Sequence, residues 1–125
     1  MKKIINIKNA PAPIGPYNQG VLSSNTLYTS GQIAINPKTG ELEIDNIKSE
    51  TKLVMENLGA VLQAANMNFE NIVKCSIFIS DMNNFAQINE VYGTYFTSDY
   101  PARETVEVAC LPKNVNVEIS AIAVT

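Results

Sequence analysis

A chain of 125 residues, 46% hydrophobic and 17% charged, has the length of about one domain and can bury a core without help from disulfides or metals. Its formal net charge of −3 gives nucleic acid no electrostatic reason to approach, because counterion release needs clustered basic residues and the lysines are scattered from Lys2 to Lys113. Histidine is absent, which excludes a Ser-His-Asp triad, a Cys-His dyad and an H-E-x-x-H zinc site and leaves acid–base work to carboxylates, Tyr, Lys, Cys or water.

In chain order, residues 3–7 read as a short strand, followed by a loop carrying Pro11, Pro13, Gly15 and Pro16. Tyr17–Leu22 and Thr26–Ala34 read as two strands joined through Ser23-Ser24-Asn25, a hairpin by its turn chemistry. Asn36-Pro37-Lys38-Thr39-Gly40 is a turn. Residues 49–66 have helical periodicity, with Leu58, Val61, Leu62 and Ala65 on one stripe and Ser49 as the expected N-cap. Residues 72–80 alternate as a strand, with Val73, Cys75, Ile77 and Ile79 expected on one face and Ile72 and Phe78 on the other. A second helix is expected over 84–97, with Phe85, Ile88, Tyr92 and Tyr95 as its stripe and Pro101 preventing continuation. Two further strands, 104–109 and 115–124, flank a turn at Leu111-Pro112-Lys113-Asn114.

The order β-β-β-α-β-α-β-β predicts one α+β domain spanning 1–125, with strands 72–80 and 104–109 parallel across the second helix. Two helices can cover only one face of such a sheet. Its strands nevertheless carry apolar residues on both faces, and an uncovered apolar face of several hundred Å2 usually marks an interface. A homo-oligomer is the expectation; the alternative is a loop or the N-terminus folded over that face. Met1-Lys2-Lys3-Ile4-Ile5-Asn6 lacks a signal-peptide apolar core, and no run reaches the length of a membrane span. Cys75 and Cys110 form no C-x-x-C and suit a reducing compartment, where thiols behave as small buried hydrophobes. A cytoplasmic location is therefore expected. Cys110 reads as structural, since nothing near it would lower its pKa.

Among the basic residues the sole arginine is Arg103, in Pro101-Ala102-Arg103. Guanidinium offers a planar fork that grips a carboxylate through two parallel hydrogen bonds, which ammonium cannot do. A surface arginine, or one paired with Glu104 or Glu107, is the competing reading. Glu118 is the second candidate. On its strand Val115, Val117, Ile119, Ala121 and Ala123 share one face, while Asn116, Glu118 and Ser120 point the other way. A solvated edge carboxylate and a functional one both satisfy that pattern.

The motif strings resemble those of the RidA/YjgF family. They are Ala12-Pro13-Ile14-Gly15-Pro16-Tyr17-Asn18-Gln19, Tyr28-Thr29-Ser30-Gly31-Gln32-Ile33, Pro37-Lys38-Thr39-Gly40, Asn57-Leu58 and Phe85-x-x-x-Asn89-Glu90-Val91-Tyr92. Pro101-Ala102-Arg103 follows, with Val106-x-Val108-Ala109, Leu111-Pro112 and Val117-Glu118-Ile119. The resemblance implies a chorismate-mutase-like α+β fold, assembled as a homotrimer with clefts between subunits. It also implies cofactor-independent hydrolysis of 2-aminoacrylate-type enamines and imines to 2-keto acids and ammonia. Arg103 would hold the substrate carboxylate and Glu118 the attacking water. Tyr17, Ser30, Gly31, Phe85 and Asn89 would line the cleft, some from a neighbouring subunit, with no metal, nucleic acid or membrane involved. Glu104 departs from the family pattern, where a small residue is usual. Alternation along an extended strand predicts that it points away from Arg103.

Three other functions compete with the deaminase. A non-catalytic binder of small carboxylates or keto acids would use Arg103 equally well, but it has no use for a second negative charge at Glu118. RNA cleavage or translation inhibition is opposed by the acidic balance and the scattered lysines. Chorismate mutase chemistry, suggested by fold analogy alone, calls for more than one arginine.

Overall fold

The computed structural model describes residues 1–125. Six strands, β1 (Lys2–Ile5), β2 (Gly20–Ser23), β3 (Thr26–Thr29), β4 (Ile72–Ile79), β5 (Ala102–Glu107) and β6 (Val117–Val124), form one sheet in the order β1-β2-β3-β6-β4-β5. All neighbours are antiparallel except β4 and β5, which are parallel. The parallel pair is bridged by α2 (Phe85–Gly93), and α1 (Ile47–Ala64) connects β3 to β4. The α+β class, the element order and the parallel pair match the expectations from sequence.

Burial alternates along β6, where Val117, Ile119, Ala121 and Ala123 are buried and the residues between them are half-buried. The buried set packs with Val54, Met55, Leu58, Val61 and Leu62 of α1 and Ile88 and Tyr92 of α2 in a single core. The other face carries no helix. One row crosses the whole sheet there in register, Ile4–Val21–Tyr28–Ile122–Lys74–Ala102. Phe78 and Val106 pair on the same face two rows further along. Tyr28 is 50% exposed and Ile4 43%. The N-terminus extends the sheet as the edge strand β1 and does not fold over this face.

Several boundaries differ from the sequence reading. A bulge at Val73 advances β4 by two residues while β6 advances by one. Ile72 therefore joins Cys75, Ile77 and Ile79 on the buried face and Val73 turns outward, reversing the expected assignment of both, as an inserted residue must. The first helix starts earlier because Asn46, not Ser49, is its N-cap, accepting from the backbone N–H groups of Lys48 and Ser49. α2 ends at Gly93, and Thr94, Tyr95 and Phe96 continue in tighter i→i−3 turns. Cys110 is exposed, so only Cys75 follows the expectation of buried thiols.

Candidate functional site

Two depressions hold the predicted residues other than Phe85, which packs against Arg103 beside the second. The first, about 380 Å3, lies where β3 and β6 separate. Its lining includes Tyr17, Ser30, Gly31 and Glu118, with Ile14, Ile33 and Lys113 around them. Backbone hydrogen bonding explains the opening. β3 pairs with β6 as far as Tyr28, after which the Thr29 hydroxyl oxygen accepts from the Ala121 N–H. Pairing resumes at Gln32, which exchanges two backbone hydrogen bonds with Ile119. Between those anchors Ser30 and Gly31 leave the ladder.

Buried side chains hold the displaced segment in place. Gln19, 1% exposed, donates to the carbonyls of Ile7, Ala10 and Pro11 and accepts from the Ile7 N–H, which clamps the Pro-rich loop. Its own carbonyl accepts from the Ser30 N–H and hydroxyl. The Gln32 amide donates to the Ser30 hydroxyl oxygen. From α1, the buried Asn57 amide donates to the carbonyls of Ile33 and Ile35. The Gln19 and Asn57 strings thus have a structural task, shaping the walls of this cleft.

Glu118 reaches into the space that Gly31 leaves free. A Cβ at Gly31 would lie 1.8 Å from the Glu118 Oε2, so no other residue fits at 31 while the carboxylate stays where it is. The carboxyl is half-buried, and desolvation alone pushes its pKa above the ordinary value, with no hydrogen bond or cation offsetting it. A carboxylate in that state has unused acceptor capacity and raised basicity.

The second depression, about 360 Å3, holds Asn89, Tyr92, Tyr100 and Arg103. Arg103 lies opposite Cys75 on the helix-covered face. Its guanidinium carbon sits 5.0 Å from the Tyr92 ring centre and 5.6 Å from that of Phe85, within cation–π range of both. The two ion pairs of the chain are Lys48–Glu90 and Lys74–Glu104, so Arg103 is held by rings and has no carboxylate partner. Glu104 points to the opposite face, where it binds Lys74 and the Ser76 hydroxyl. Those contacts hold its carboxyl below the usual range and leave the guanidinium fork free, as alternation predicted.

Arg103 and Glu118 are apart on a single chain. Glu118 pairs with Phe78 and Arg103 with Cys75, an odd step along β4, so the two project from opposite faces of the sheet. The predicted residues thus divide into Tyr17, Ser30, Gly31 and Glu118 on one side and Phe85, Asn89 and Arg103 on the other. Sequence reading did not single out Tyr92 or Gln19 as supports of the site. For Tyr92, an aromatic i+7 from Phe85 on the helix facing the lone arginine was an available signal. Nowhere do three or more Cys, Asp or Glu gather as metal ligands would, and no helix is long and apolar enough to cross a membrane.

Comparison with known proteins bears on this geometry. Residues 7–125 match the sequence model of the family described as Endoribonuclease L-PSP. The chain is 49% identical to a RutC family protein of Pyrococcus horikoshii, covering 98% of each. It is 44% identical to the 2-iminobutanoate/2-iminopropanoate deaminase of Mus musculus, over 99% of this chain and 90% of that one. Among solved structures, E. coli TdcF with bound serine superposes with a TM-score of 0.95 at 45% identity, covering 98% of both chains. The YjgF gene product of E. coli gives 0.93 at 46% identity, again covering 98% of both.

Proposed function

The chain belongs to the RidA/YjgF family, and on that premise we propose that it hydrolyses 2-imino acids and their enamine tautomers to 2-keto acids and ammonia. The observation that carries the reading is the Glu118 carboxylate, set against Gly31 with its pKa raised by burial and no partner in the chain. The deaminases of Mus musculus and Bos taurus among its relatives support the reaction type.

In the proposed reaction the imine carbon takes the oxygen of a water molecule whose proton passes to Glu118. Glu118 returns that proton to the nitrogen to give the carbinolamine, then takes the hydroxyl proton and passes it to the same nitrogen, so ammonia leaves as the C–N bond breaks and the C=O bond forms. One water is consumed and one ammonia released. Glu118 orients the water and shuttles the proton, while Arg103 grips the substrate carboxylate through its fork. Ser30 and Asn89 orient the substrate, since no base stands ready to activate a hydroxyl. Much of the gain is positional, a held water beside a held imine.

Because Arg103 and Glu118 project from opposite faces of one chain, we assign the complete cleft to two copies, with Arg103 of one meeting Glu118 of the next in a homotrimer. The helix-free apolar face and the location of Arg103 on the edge strand β5 support that assembly.

The test is subunit complementation. Arg103→Ala and Glu118→Ala are each expected to be inactive when a threonine dehydratase supplies the intermediate and keto-acid release is timed. Co-expressed as mixed particles, they regain part of the wild-type rate, because some clefts then contain both intact residues. Wild-type protein that does not speed keto-acid release refutes the deaminase. Active wild type with no complementation refutes the shared cleft.

A further inference from the structure

Glu50 is a fully buried carboxylate, 0% exposed, and the reaction proposed above does not use it. It sits in the first turn of α1 and reaches across to the strand that carries Glu118. One oxygen accepts from the Asn116 backbone N–H at 2.8 Å and the other from the Asn116 side-chain amide at 2.7 Å. The Asn116 carbonyl in turn accepts from the Ser80 N–H at the end of β4. Asn116 is thus fastened from two sides. Two residues later, within β6, stands Glu118, whose carboxylate has no tether of its own.

A buried carboxylate is a costly way to satisfy a few N–H donors, because its desolvation opposes folding. Burial does push the Glu50 pKa upward, and the bonds to Asn116 only partly offset this. Simple packing at this point would be better served by an apolar side chain. What the carboxylate supplies is two strong acceptors at fixed geometry, and these set the path by which β6 enters the sheet.

We infer that Glu50 is a positioning residue for Glu118, holding the start of β6 so that the Glu118 carboxylate lies in the space left by Gly31. The inference rests on the deaminase reading for its kinetic consequence, though not for the placement itself.

Three variants test it: Glu50→Ala, Glu50→Gln and Asn116→Ala. For Glu50→Ala, kcat is expected to fall on the order of 10- to 100-fold, the usual cost of a displaced catalytic group. KM stays within about twofold, because Arg103 binds substrate from another strand. Glu50→Gln keeps one acceptor for the Asn116 N–H and recovers most of that loss. Asn116→Ala, which retains the backbone bond and loses the side-chain bond, falls between the two; it carries the test if Glu50→Ala does not fold. A purely structural role lowers the melting temperature but leaves kcat of the folded protein unchanged. Carboxyl 13C NMR reads the placement independently of activity: the Glu118 titration midpoint moves back towards an ordinary glutamate in Glu50→Ala, or in Asn116→Ala if that variant carries the test. An unmoved Glu118 titration, or equal kcat losses in the Gln and Ala variants, overturns the inference. If the titration moves while wild-type protein hydrolyses no imine, the deaminase reading fails and the positional link stands.

Discussion

Gly31 and Glu118 share one volume, and two experiments separate their roles. Gly31→Ala puts a methyl group where the carboxylate lies. Since overpacking costs about 1–3 kcal/mol, the carboxylate is expected to swing away. A drop in kcat of at least about tenfold, with stability reduced by no more than that range, would be read from steady-state kinetics and urea melts. Glu118→Gln addresses the charge. The folded-state pKa of Glu118 lies above its ordinary value of 4.5, so its contribution to stability is full below pH 4.5 and is lost as pH rises through the folded value. The amide variant should therefore melt higher than wild type at neutral pH and converge with it in acid, while hydrolysing poorly. Thermal melts between pH 3.5 and 8 check the sign. Arg103→Lys keeps the charge and loses the fork, removing one charge-assisted bond worth about 1.5–3 kcal/mol. A 10- to 100-fold fall in kcat/KM with an unchanged fold is expected.

At the scale of elements, helices and strands were legible because hydrophobic period and turn residues agree along most of the chain. Strand 117–124 alternates without interruption, so the outward direction of Glu118 followed from counting, as did the divergence of Glu104 from Arg103. Counting failed at Val73, where one extra residue reverses the facing of Ile72 and Val73 and leaves no mark in the residue types. It failed again at the first helix, because Ser49 and Asn46 are both good caps and only the backbone decides between them. Asn46→Ala should cost about 1 kcal/mol and leave kcat untouched below the melting transition, since this cap contacts neither cleft. Equilibrium unfolding in urea beside a kinetic assay would show both.

For the whole molecule, sequence reading named the candidate residues and expected them to meet across a groove between subunits, without saying which of them fall on which side. Motif strings run in one dimension, whereas the split into a Glu118 side and an Arg103 side follows from register, an odd step along β4 between Phe78 and Cys75. The apolar face without a helix was foreseeable from strands greasy on both sides. If copies pack through it, Tyr28→Glu, on a residue half exposed in the single chain, should reduce the particle to monomers in sedimentation velocity. Activity should fall with it, although Tyr28 lines neither cleft.

The pairing of Gly31 with Glu118 also restricts how such a chain can change over generations. A lineage that acquired any side chain at 31 would first have to shorten or discard the acid at 118, since the intermediate carrying both is overfilled. Positions 87 residues apart are thereby tied in an obligatory order of replacement, and chains that have surrendered the acid are where a bulkier residue at 31 should turn up.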